Sequence, residues 1–387
     1  MNPERDETRR ATPSSARHSR NAAIIVALAL TIGCAVTSGM ASGDSATPTS
    51  VETVEKRSAA EETKAEETKI VHADGVTELV AFDSAPFPFD GAAPGKRPFL
   101  DVAVGGRRGH RARNGGVLWA DETFGDRRVL LHIPRDFDPA RPATIVVFFH
   151  GFGATLARDV RDRQLVPEQI SASGANAVLI APQFAVDARD GSAGRFWERG
   201  GFRRFLDEAA RRLARAYGDP AAEPSFRAMP ITLVAYSGGF LPAAYSIRDM
   251  EGDARLRGVA LLDAAYGELD VFARWIEKRS GFFVSASTGS TAGQNARLRQ
   301  MLAARGVAFG SDAERIGRGV TFLHTGDAYS HRDYVTKAWT REPIRDLLAH
   351  MPDVVRRDVA VAAWSGPPDG DRRSAMAEDE EPRPNGR

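Results

Sequence analysis

The stretch Ile231-Thr232-Leu233-Val234-Ala235-Tyr236-Ser237-Gly238-Gly239 decides how the rest of the chain is read. A short apolar, β-branched run stops abruptly at Tyr236-Ser237-Gly238, and small residues, Ala235 and Gly239, stand two positions either side of the serine. The run has the length and composition of a strand buried on both faces. Its end has the composition of a sharp reversal into a helix, so tight that only Ala or Gly fits beside the turn. A hydroxyl held there stands clear of the sheet edge at a helix N-terminus, where developing negative charge is favoured. Ser-Gly-Gly after an apolar run is also a common loop, so the surrounding chain has to choose between the two.

Working outward, Ala143 to Phe149 is a second continuous apolar run, and it ends in His150-Gly151-Phe152-Gly153. Asn176 to Ala181 is a third, stopped by Pro182. Arg257–Asp263, Gly281–Ser285 and Gly319–His324 are strand-like as well. Between them lie apolar stripes at helical spacing. Phe202, Phe205, Leu206, Ala209, Leu213 and Tyr217 form one; Leu269, Phe272, Ala273 and Ile276 form another. Leu298, Met301 and Leu302 mark a third helix, and Ile344, Leu347, Leu348 and Met351 a fourth. Strands alternating with helices predict an α/β fold: a mostly parallel central sheet with helices on both faces. Gly116–Trp119 and Arg128–Ile133 read as an antiparallel opening pair at its N-terminal edge. In such sheets the site lies at the carboxyl ends of the strands. Those ends carry His150-Gly-Phe-Gly, then Ser237, then Asp263, then the loop Thr325–Tyr334 with His331.

Ala235-Tyr-Ser237-Gly-Gly239 resembles the nucleophile elbow of the α/β-hydrolase family, normally Gly-x-Ser-x-Gly, with Ala235 in place of the first glycine. His150-Gly151-Phe152-Gly153 resembles that family's oxyanion-hole loop, and the order nucleophile, acid, histidine is similar to the family's order. The resemblance covers residues 115–352 and implies an α/β-hydrolase fold. Only one helix fits between Asp263 and the next strand, so no cap domain is expected there, and an open cleft is. The resemblance further implies a serine hydrolase acting on a carboxylic ester or related acyl bond. Ser237 would be the nucleophile, His331 the base and Asp263 the acid, with the backbone N–H groups of Phe152 and Gly238 as oxyanion donors. Such chemistry requires no metal and no organic cofactor.

The match has departures. Most family members place the acid one strand later, where this chain has Ser285-Ala-Ser-Thr-Gly289 and no carboxylate. Glu268 is the second candidate for the acid. His324 rivals His331 but lies inside the last strand's alternation, which reads as a core or satisfied residue. His150 reads as structural, orienting the glycines that follow it. Pro242 falls in the first turns of the helix after the elbow. The same residues would serve a peptidase, thioesterase, amidase or acyltransferase, because pocket shape chooses the acyl acceptor. A non-catalytic envelope lipoprotein using the scaffold for binding is the alternative from a different class.

Composition excludes other classes. The 387 residues are 42% hydrophobic, and 52 basic against 51 acidic residues leave a net charge of +1, with no field to draw nucleic acid. One cysteine rules out an internal disulfide, and the eight histidines show no metal spacing. Residues 1–41 read as an export signal: a polar, arginine-bearing start and then an apolar run from Ala22 to Val36, too short to span a bilayer comfortably. Thr31-Ile-Gly-Cys34 looks like the lipobox of bacterial lipoproteins, which would lipidate Cys34. Ordinary cleavage near Met40-Ala41-Ser42 and a single-pass anchor are the other two readings. Each places the protein in the periplasm, in the cell envelope or outside the cell, with membrane contact only through the signal or lipid. The expected partner is a small-molecule or envelope-derived acyl substrate. Residues 42–70 read as a disordered tether, 71–114 as a loop-rich lead-in, 115–364 as the α/β domain and 365–387 as a disordered tail. The basic cluster Arg107, Arg108, His110, Arg111 and Arg113 reads as a solvated face.

Overall fold

The computed structural model describes residues 68–278, 281–326, 328–352 and 354–356. The export signal with Cys34, most of the tether and the tail lie outside the described residues.

Nine strands build the central sheet: β1 (Thr68–His72), β2 (Gly75–Ala81), β3 (Arg128–Pro134), β4 (Thr144–Phe149), β5 (Ala177–Pro182), β6 (Ile231–Tyr236), β7 (Leu256–Leu262), β8 (Phe282–Thr288) and β9 (Val320–Gly326). Their spatial order is β1-β2-β3-β5-β4-β6-β7-β8-β9. The strands from β5 across to β9 run parallel; β1, β2 and β3 are antiparallel to their neighbours.

The unbroken apolar runs follow from burial on both faces. In β4, Ile145, Val147 and Phe149 point into one core while Val146 and Phe148 point into the other. In β6, Ile231, Leu233 and Ala235 share the first core; Val234 and Tyr236 enter the second. The helices α2 (Gly201–Tyr217), α3 (Phe240–Asp249), α4 (Leu269–Lys278) and α5 (Gly289–Ala304) cover the first face, and α1 (Val166–Ala172) and α6 (Pro343–Ala349) the second. The stripe read for α2 is buried from Phe202 to Leu213, but Tyr217 stays exposed at its end, edge-on to Phe137 and Phe226. The link from β7 to β8 contains α4 as its only helix among the described residues, so no cap domain is inserted there.

Two expectations need correction. The sheet begins earlier than residue 115: β1 and β2 lie in the stretch read as tether and lead-in, and β2 pairs along its length with β3. Val117–Trp119 does not pair with β3; it joins Val102–Val104 and Arg107–Arg111 in a small separate sheet. In the basic cluster Arg108, Arg111 and Arg113 are exposed, as a solvated face requires, and Arg107 bonds Asp121 and Glu122 and lies over the Trp119 ring. The lead-in's Phe82, Phe87 and Phe89 are buried, as a segment packed over the domain requires.

Candidate active site

β6 ends in the turn Ser237–Gly239, and α3 starts at Phe240. Ser237 has φ +53°, a left-handed conformation that costs a β-carbon-bearing residue energy and that packing must hold in place. The packing is visible at Gly239, where an added side-chain carbon would lie 2.3 Å from the Phe149 carbonyl oxygen. Strand β4 and the start of α3 are therefore in backbone contact, and only glycine fits. Ala235, in place of the family's usual first glycine, is fully buried and tolerated. Pro242 occupies the first turn of α3, where a helix N–H has no partner to lose, so it causes no break.

Ser237 is one end of a hydrogen-bonded row. His331 Nε2 lies 2.8 Å from Ser237 Oγ, and His331 Nδ1 lies 2.6 Å from Asp263 Oδ2. Three separate segments supply the row: the elbow, the end of β7 and a short helical turn (His331–Asp333) after β9. The geometry assigns the imidazole proton to Nδ1, facing the carboxylate, which leaves the Nε2 lone pair for the serine hydroxyl. An imidazole so held can take the serine proton as a nucleophilic attack proceeds.

Asp263 has no exposed surface, and its partners explain why it stays ionised. The Thr288 N–H and hydroxyl donate to it at 3.0 and 2.7 Å, the Ser290 hydroxyl at 3.1 Å, and the Thr291 hydroxyl completes the set. Burial alone raises this carboxyl, but the hydrogen bonds from His331, Thr291 and Thr288 outweigh it and hold the group well below the usual carboxylate range. Glu268, the second candidate for the acid, faces elsewhere and binds Arg248 at 2.6 Å.

His331 is fixed from its backbone. The Tyr236 hydroxyl donates to the His331 carbonyl at 2.8 Å, and the Tyr236 ring stacks on the imidazole with centroids 5.2 Å apart. Burial pushes the Tyr236 hydroxyl up to about 12, so it remains a donor. Arg163 Nη1 donates to the next carbonyl, that of Arg332, at 3.2 Å. Arg163 ends the segment Leu156–Arg163, a π-helix in which Val160 N–H bonds the Thr155 carbonyl five residues back. Tyr266 stands edge-on to the imidazole and is exposed.

The loop after β4 reaches the elbow. An added side-chain carbon at Gly238 would lie 2.2 Å from the Phe152 ring, and one at Gly151 would lie 2.9 Å from Ser237 Cβ. Phe152 and Gly238 are thus brought together beside Ser237, with 46% of Phe152 exposed. His150 is buried, and burial lowers its pKa. Its Nδ1 donates to the Gly151 carbonyl at 2.8 Å, while Nε2 accepts from the Phe184 N–H at 3.0 Å. Both ring nitrogens are consumed in shaping the loop. Of the two halves of its reading, His324 keeps one: it is exposed near the end of β9 and so is not a core residue, but it is satisfied by Ser287, whose Oγ lies 3.2 Å from its Nδ1.

Sequence reasoning missed Thr288, Ser290, Thr291 and Tyr236 as supporting residues. A run of hydroxyl side chains, Ser287-Thr288 and Ser290-Thr291, at the strand end where a carboxylate is usual is the signal that marks the first three.

The sheet order, the single-helix link after β7 and the strand–turn–helix at Ser237 give the chain the α/β-hydrolase fold. No family model and no curated protein matches the chain. Among solved structures it is similar to a feruloyl esterase module from Clostridium thermocellum, at 16% identity and TM-score 0.41, over 70% of this chain and 99% of that one. It is also similar to an esterase from Pyrobaculum calidifontis, at 13% identity and TM-score 0.37, over 58% of this chain and 80% of that one.

Proposed function

We propose that the protein is a serine hydrolase that cleaves a carboxylic ester or related acyl bond. The observation that carries this reading is the row from Asp263 through His331 to Ser237, with the serine on a strained turn. Ser237 Oγ attacks the acyl carbon and passes its proton to His331 Nε2. Asp263 holds the imidazole tautomer and stabilises the imidazolium. The backbone N–H groups of Phe152 and Gly238 are the proposed oxyanion donors, and losing one such donor typically costs about a hundred- to a thousand-fold in rate. His331 then protonates the leaving oxygen as the acyl–oxygen bond breaks, leaving an acyl-serine. Water, deprotonated by the same base, releases the acid and restores Ser237. The exposed Phe152 and Tyr266 beside the row support an open cleft that admits a bulky acyl group. Export belongs to the same proposal, carried by residues 1–41 with Cys34 as the lipidation site, so the substrate is met in the envelope or outside it.

Labelling with a fluorophosphonate tests the chemistry. Wild type is expected to label rapidly, Ser237→Ala not at all and His331→Ala very slowly. A folded wild-type protein that does not label overturns the proposal and moves the weight to a binding protein on a hydrolase scaffold.

A further inference from the structure

One face of α2 and the loop before it line a cleft of about 580 Å³ that contains Arg195, Arg204, Arg211, Arg212 and Arg215. It shares no residue with the row at Ser237. Three carboxylates also line it, and each is already engaged. Glu208 accepts from the Asp83 and Ser84 N–H groups at 3.1 and 2.8 Å, from the Ser84 hydroxyl at 2.6 Å and from Arg212 at 3.3 Å. Asp207 pairs with Arg227, and Asp83 with Arg127. Arg204 is committed to Glu198 at 2.8 Å.

Arg195, Arg211 and Arg215 remain. Among the described residues none of them pairs with a carboxylate. The Arg195 side chain has no hydrogen-bond partner of any kind among the described residues, its buried Nε included. Arg195 is also held in place. Its N–H bonds the Pro86 carbonyl at 2.9 Å, and an added side-chain carbon at Gly194 would lie 2.1 Å from that same oxygen. Arg211 and Arg215 are one helical turn apart, a spacing at which like charges repel. Asp207, one turn before Arg211, is placed to relieve this charge but is taken by Arg227.

We propose that this cleft binds a compact, multiply charged oxyanion of the phosphate class through Arg195, Arg211 and Arg215. Planar guanidinium forks match phosphate oxygens in pairs, and three of them around one cleft favour more than a single negative charge. The site stands whether or not Ser237 is a nucleophile.

Isothermal titration of the purified protein with inorganic pyrophosphate at low ionic strength tests it. Saturable binding at one ion per chain is expected, weakened at least tenfold in Arg195→Gln and in the double variant Arg211→Gln, Arg215→Gln. Arg211 and Arg215 are exposed, so the double variant probes the site without disturbing the core. Arg195→Lys keeps the charge but not the fork and is expected to fall between wild type and Arg195→Gln. Parallel titrations with inorganic phosphate and glycerol phosphate separate a free ion from a phosphoester headgroup, and a preference for either supports the site. No saturable heat, a response matched by chloride at equal ionic strength, or unchanged binding in both glutamine variants overturns it.

Discussion

Asp263 and Thr288 end neighbouring strands, and the threonine holds the acid with both its backbone N–H and its hydroxyl, at 3.0 and 2.7 Å. The end of β8 carries no carboxylate; its Thr288, Ser290 and Thr291 all hold the Asp263 carboxylate at the end of the strand before it.

That support sets a stability prediction. Thr291→Val removes one donor to a buried charge and is expected to cost about 1–3 kcal/mol. Thr288→Ala is expected to cost at least as much, because its hydroxyl also caps α5 by accepting from the Ser290 N–H. Denaturant midpoints of the two variants check this, and values within error of wild type would show that the hydroxyls are dispensable.

The acid also makes stability depend on pH. Asp263 has a lowered pKa in the folded chain, whereas an aspartate in an unfolded chain titrates near about 3.9. A carboxyl lowered on folding stabilises the native state above the unfolded pKa, and the contribution is lost as pH falls below it. Urea midpoints at pH 7 and pH 3 should therefore show wild type well above Asp263→Asn at the higher pH and a narrower gap at the lower. A gap that does not change with pH would place the stabilisation in packing and not in the charge.

Asp263→Asn should also lower kcat on an activated ester by about 10⁴-fold if the row works as proposed, since an amide presents the wrong tautomer to the imidazole. Combining it with Ser237→Ala should lower the rate no further than Ser237→Ala alone, because the residues act as a unit. Additive losses in steady-state kinetics would argue against the unit.

In the proposed mechanism Tyr236 is a positioning residue whose hydroxyl acts through the His331 backbone. Tyr236→Phe keeps the stacked ring and deletes a hydrogen bond worth about 1 kcal/mol. The expected result is a fall in kcat of about fivefold with KM unchanged. A change in KM alone would mean that the hydroxyl contacts substrate.

Gly239→Ala forces a carbon to within 2.3 Å of the Phe149 carbonyl oxygen, which is backbone and cannot rotate away. A loss on the order of 2–4 kcal/mol is expected from thermal melts. The reverse change on the other flank, Ala235→Gly, removes a single buried methyl and is expected to cost only about 1 kcal/mol.

Much of the fold and of the row is legible in the amino-acid sequence. The runs that form β4, β5 and β6 are buried at every position and apolar at nearly all of them because both faces are covered, and a local pattern reports that directly. The elbow is legible for a similar reason: small residues around Ser237 register a close backbone approach wherever the partner lies. The serine, the acid and the histidine can be ordered because a parallel sheet sends every strand end to one edge. Pairing is the weak point. β1 and β2 lie in stretches with little apolar periodicity and enter the sheet only because β3 offers a free edge, which no window of sequence reveals. His324 shows the same limit, since alternation marks a side but not how far along the strand that side stays covered.

The amino-acid sequence by itself determined the strand–helix alternation, the strained serine and the three residues of the row, all of which depend on local composition and chain order. Only the tertiary structure decided which hydroxyls hold Asp263, which tyrosine holds His331 and which arginines share a cleft without partners. Those are distances between residues far apart in the chain, set by register and packing.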